Sequence, residues 1–144
     1  MHHNKDYELS QRLRGELNAL SYQCWYSAKR ALAHLDARAR YVEGWAVTTD
    51  GLVVEHGWCQ AGGRIIDSAL PGAELTYFAG LCFDALQLEM LDRDPYTPIA
   101  WQLYGRGGCE NPEYVAAFEA ACHFARVNEP AHPSDTAVRR LGRR

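Results

Sequence analysis

The chain has 144 residues, 47% of them hydrophobic and 23% charged, with a formal net charge of −3, proportions that suit one domain around one core. A weakly acidic balance gives no general pull toward nucleic acid or anionic membrane, and there is neither a run of about 18 apolar residues nor a leader-like start. The five cysteines are Cys24, Cys59, Cys82, Cys109 and Cys122. They are odd in number and lack C-x-x-C spacing, which argues against a disulfide framework or a structural zinc site and for a reducing cytoplasm.

Leu9, Leu13 and Leu17 recur every four residues and predict a helix over 7–17. Ser21 is the expected cap of a second helix. That helix carries Trp25, Ala28, Leu32 and Leu35 at helical spacing and Cys24 at its third position. From Tyr41 the period changes to two, and Tyr41 to Thr49 has strand composition. Asp50-Gly51 is a hairpin signal, Leu52 to Cys59 its return strand, and Gly63 to Leu70 a third strand after a glycine turn. Together these predict a three-stranded antiparallel meander. A short strand over 74–78, a helix over 83–91 and a loop over 92–110 follow. Asn111-Pro112-Glu113 then starts a helix: a cap, a proline at the first position and an acid against the dipole. The fold class expected is α+β, a domain over 1–130 with a helix carrying Cys24 packed on the meander and extra C-terminal helices. Residues 131–144, with Arg139, Arg140, Arg143 and Arg144, read as a flexible basic tail.

Two-residue turns at Asp50-Gly51 and Ala61-Gly62 place Trp45 opposite His56 and His56 opposite Asp67. Opposed side chains share a face, with Cβ atoms about 5 Å apart. The same face would carry Val47, Val54, Trp58 and Ile65, with Glu43 opposite Trp58. The other would carry Thr48, Glu55, Arg64 and Ser68.

A thiol at a helix start, followed by a His and an Asp on adjoining strands, is the chain order of a cysteine-nucleophile triad. A helix N-terminus and a neighbouring imidazole favour the thiolate, and an acid on the far ring nitrogen sets the tautomer. Cys24 is then the nucleophile, His56 the base and Asp67 the orienting acid. The Cys24 amide with Gln23 or Gln60 would supply oxyanion donors. Trp45 and Trp58 would exclude water, Trp25 would wall the site or pack, and Glu43 would be a second acid or a strand-end ion-pair partner. No cofactor is expected. A zinc site from His56, Asp67 and a cysteine is disfavoured, because no ligand pair is locally spaced.

The strings Tyr41-Val42-Glu43-Gly44-Trp45, His56-Gly57-Trp58 and Gly63-Arg64-Ile65-Ile66-Asp67 resemble the core of transglutaminase-like, papain-fold proteins, in particular small bacterial and phage members. Tyr77-Phe78 with Gly80 and Phe83 extends the likeness, which covers about residues 20–83. Gly57 replaces the family's usual Ala, and Ser68-Ala69 its Pro-Thr. The resemblance implies the same three catalytic residues, Cys24, His56 and Asp67. The expected function is a cytoplasmic thiol hydrolase or acyl transferase, acting on an amide, isopeptide or ester bond of a protein or small substrate. The alternative is a non-catalytic protein-binding module on the same fold, such as a phage-encoded inhibitor of a host protein. Its candidate surface is the 92–110 loop with Tyr96, Trp101 and Tyr104. Nucleic-acid binding through the arginine tail is a weaker third reading.

Overall fold

Local side-chain chemistry sets most element ends in the computed structural model, which describes residues 4–128. α1 (Tyr7–Leu17) begins at Asp6, whose carboxylate accepts from the Leu9 amide at 2.9 Å. It ends at Asn18 in the left-handed region, φ 51 and ψ 44, which asparagine tolerates. α2 (Cys24–Leu32) is capped by Gln23, not Ser21, so Cys24 occupies the first helical position rather than the third. α3 (Ala85–Leu91) starts behind a reciprocal capping box between Asp84 and Gln87. α5 (Pro112–Val127) starts as the sequence predicts, with the Asn111 side chain accepting from the Tyr114 amide at 2.9 Å. The segment read as loop instead contains α4 (Ile99–Tyr104) and a 3-10 turn at Arg106–Gly108.

The strands are β1 (Asn4–Lys5), β2 (Arg40–Thr48), β3 (Val53–Ala61), β4 (Arg64–Ile66) and β5 (Leu75–Phe83). They form one sheet in the order β1-β4-β3-β2-β5. The β1–β4 pair is parallel and the others are antiparallel. The expected meander is therefore the centre of a larger mixed sheet. Its third strand stops after three residues, and the short fourth strand is a nine-residue β5 on the far side of β2.

One row crosses four strands: Ile66 pairs with Cys59, Cys59 with Tyr41, and Tyr41 with Phe83. All four are buried, with Leu13 and Leu17 of α1, Ala28, Ala31 and Leu32 of α2, and Ile99 of α4 packed on them. Farther along the same face, Val47 meets Ala121 and Ala125 of α5. Helices thus cover one face of the sheet. The opposite face carries a smaller cluster of Val42, Trp58, Ile65 and Tyr77.

The expected register is off by one residue at the first turn. The Thr48 amide donates to the Leu52 carbonyl at 2.9 Å and Gly51 has φ 89, so the loop holds three residues, 49–51. A one-residue slip turns every side chain to the other face. Gly44, not Trp45, lies opposite His56; Trp45 lies opposite Glu55; and Glu43 lies opposite Gly57, not Trp58. Trp45 and Val47 are thus on the helix-covered face, away from His56. At the second turn the loop residues are Gly62 and Gly63, φ 57 and 80, the positive angles that a type I′ turn needs. Ala61 therefore pairs with Arg64 and Gln60 with Ile65, so His56 and Asp67 are not directly opposed. They keep the same face and meet on a diagonal.

Candidate active site

His56 sits on β3 where that strand has no neighbour on its β4 side, because β4 pairs only with Cys59–Ala61. Asp67, just past the end of β4, is aimed at that gap. Its Oδ2 lies 2.8 Å from His56 Nε2. His56 is 2% exposed and Asp67 0%. Asp67 is held on every side: Oδ2 also accepts from the Tyr77 hydroxyl at 2.7 Å, and Oδ1 accepts from the Leu70 amide at 3.0 Å. Its own amide donates to Ser10 Oγ of α1 at 2.9 Å. The short loop from Asp67 to Leu70 is thereby folded around its own carboxylate.

Cys24 lies beside His56 and favours the ring's charged form. With Nε2 given to Asp67, Nδ1 is the nitrogen left for the thiol. Cys24 is 9% exposed and opens a nine-residue helix with no side-chain cap. Such a start leaves its leading amides for an anion. The neighbouring backbone is fixed by Gly57: a Cβ there would lie 2.7 Å from Trp25 Cδ1 and 3.3 Å from Trp25 Cα. Absence of that carbon lets the first turn of α2 press against β3.

The charges of this group are coupled. Burial of His56 opposes its imidazolium, but the Asp67 carboxylate, its hydrogen bond and Cys24 outweigh that and hold the ring's pKa up at about 10. Burial likewise pushes the Asp67 carboxyl up, and the His56 charge with the His56, Tyr77 and Lys5 contacts brings it below its ordinary value. The two directions describe one buried ion pair. Cys59 is a different kind of thiol. It is fully buried, donates to the Ala28 carbonyl at 3.2 Å, and is pushed well up by burial and then by the Asp67 charge.

The remaining candidates divide. Trp58 belongs to the site: it is 0% exposed and stacks on His56, centroids 6.0 Å apart. Trp25 packs between Gly57 and the Trp101 ring, centroids 5.6 Å apart. Gln23 precedes Cys24 but its side chain makes no capping bond. Gln60 is four residues along β3 from His56, about 13 Å at strand rise, and does not join the site. Trp45 packs on Tyr114 and Phe118 of α5. Glu43 is buried and already occupied. Its oxygens accept from the Ile99 and Ala100 amides at 2.6 and 2.7 Å and from the Tyr41 hydroxyl at 2.5 Å. Burial raises its pKa, while those donors pull the other way. Glu43 therefore ties α4 to the sheet. Lys29 does the same for the chain before α4, bonding Asp92 and the carbonyls of Asp94, Pro95 and Thr97. In this expected binding surface, Tyr96 stacks on Tyr26, and Trp101 meets Trp25 at a tilt of 57°.

Ser10, Tyr77 and the Glu43 cap are contacts that sequence reasoning missed. Tyr77 lay inside the resembling string but had no role there. The basic tail lies outside the described residues. Among those residues no helix is long and apolar enough to cross a membrane, and no group of three metal-capable side chains is placed to hold an ion. Comparison with family models, curated proteins and solved structures gave no match to this chain, so the fold is assigned here as α+β and no family is assigned.

Proposed function

We propose that the chain is a thiol-dependent hydrolase or acyl transferase acting on an amide, isopeptide or ester carbonyl. One observation carries this: a buried His56–Asp67 ion pair beside Cys24, which opens a helix with no side-chain cap. A neighbouring imidazole activates a cysteine sulfur as a nucleophile. The Cys24 sulfur would attack the carbonyl carbon, and the oxyanion would be met by amides of the first turn of α2. His56 would give its proton to the departing amine or alcohol, leaving an acyl group on Cys24. Water or an amine, deprotonated by His56, would then take the acyl group and restore the thiol. Asp67 keeps Nε2 protonated throughout and so directs Nδ1 to the reaction. The transglutaminase-like, papain-fold resemblance agrees with these roles and stays part of the proposal. The test is turnover of small p-nitrophenyl ester and anilide probes. Activity abolished in Cys24→Ala and in His56→Ala supports the reading; full activity in Cys24→Ala refutes it.

The low exposure of Cys24, His56 and Asp67 favours a second reading, a binding module that keeps the site closed. In that case the probes are not turned over, and Cys24 is acylated no faster than the exposed Cys82 and Cys109.

A further inference from the structure

We propose that Tyr77 is a positioning residue of the His56–Asp67 pair, setting which carboxylate oxygen the imidazole meets. Its catalytic meaning rests on the function proposed above; its geometry does not. Tyr77 stands on β5, two strands from His56, and pairs with Ala46 of β2. The β2 residues between them are small: Gly44 lies opposite His56 and Ala46 is fully buried. That leaves room for the tyrosine ring to cross β2. The ring meets Trp58 edge-on with centroids 4.9 Å apart and lies 6.3 Å from the His56 ring. Its hydroxyl ends 2.7 Å from Asp67 Oδ2, the same oxygen that faces His56 Nε2.

Two donors on one oxygen, with the Leu70 amide on the other, leave the carboxylate a single rotation that satisfies all three. Without the hydroxyl, Oδ2 loses one of its two anchors and the carboxylate turns about its Cβ–Cγ bond at lower cost. The hydroxyl is a permanent donor. Burial and then the Asp67 charge and hydrogen bond push Tyr77 far above the ordinary tyrosine value. The charged or titratable groups facing this trio are Cys24 at His56, Lys5 and Cys59 at Asp67, and Lys5 and Tyr7 at Tyr77. Lys5 is itself tied to the carbonyls of Leu70 and Ala73 at 2.7 Å.

The experiment is proton and nitrogen-15 NMR of His56 with p-nitrophenyl acetate acylation of Cys24 at pH 6, in the full chain and in Tyr77→Phe. In the unsubstituted protein the Tyr77 hydroxyl proton and the His56 Nε2 proton should share a through-space cross-peak. Tyr77→Phe should speed exchange of that Nε2 proton and lower Cys24 acylation by about tenfold, the effect of one hydrogen bond to a charged group. No cross-peak, or a folded Tyr77→Phe unchanged in both respects, overturns the proposal. If that variant does not fold, the cross-peak alone decides. If Cys24 of the unsubstituted protein acylates no faster than Cys82, the triad fails, and the His56 spectra judge Tyr77 separately.

Discussion

Asp67→Asn removes a charge from the centre of the site while nearly keeping its shape. The carboxylate accepts from His56 Nε2 at 2.8 Å, Tyr77 at 2.7 Å and Leu70 at 3.0 Å, and gives nothing back. An asparagine amide has one oxygen and one NH2 group, so either orientation turns an N–H toward a donor. His56 would then be buried without a counter-charge. Burial is the largest influence on its ring and acts downward, so the ring should drop from about 10 to below its ordinary 6.5. Removing one partner of a buried pair costs about 3–5 kcal/mol. Deprotonation of His56 relieves part of this, so a loss of about 3 kcal/mol is expected at pH 7. Urea unfolding measures the stability and nitrogen-15 NMR the ring. A variant within about 1 kcal/mol of the parent, with His56 still doubly protonated at pH 8, would refute the reasoning.

Other perturbations have defined outcomes. The ion pair should also show in stability against pH. The folded His56 value of about 10 lies above its unfolded 6.5, so its contribution is complete below 6.5 and lost as pH rises through 10. Asp67 is lowered from 3.8, so its contribution is present above that and lost as pH falls. The stability gap between the parent and Asp67→Asn should therefore narrow at both ends of a pH 3–11 urea series; a constant gap contradicts the pair. Gly57→Ala should cost about 1–3 kcal/mol by overpacking, since its new carbon meets Trp25 at 2.7 Å; unchanged stability in urea would mean that α2 and β3 are not in this contact. Glu43→Ala should cost about 2–4 kcal/mol through the orphaned Ile99 and Ala100 amides, with faster hydrogen exchange at those two amides as the specific sign.

The limits of sequence legibility are physical. Local signals survived: Asn111-Pro112 starts α5, and the leucines of α1 face the core. Asp50-Gly51 did signal a hairpin, but the loop is one residue wider than expected. Thr48 Oγ1 accepts from the Leu52 amide and bonds Asp50, contacts that hold the three-residue form. No period in the sequence distinguishes the two loop lengths, yet the difference moved Trp45 from the His56 face to the α5 face. His56 and Asp67 still met, because the second turn kept their parity. The pairing of β5 with β2 and the two-residue β1 depend on contacts far apart in sequence. So do the reach of Tyr77 to Asp67 and of Glu43 to α4. The glycine at position 57 carries no sequence signal of its own; its reason is the Trp25 ring.

The central claim is that His56 activates Cys24, and site-resolved mass spectrometry of acylation by p-nitrophenyl acetate at pH 6 tests it most directly. The account predicts that Cys24, although the least exposed of the candidates, acylates faster than Cys82, Cys109 and Cys122, and that His56→Ala abolishes this lead while leaving the other three unchanged. Equal acylation of all four, or a Cys24 lead that survives His56→Ala, would contradict it.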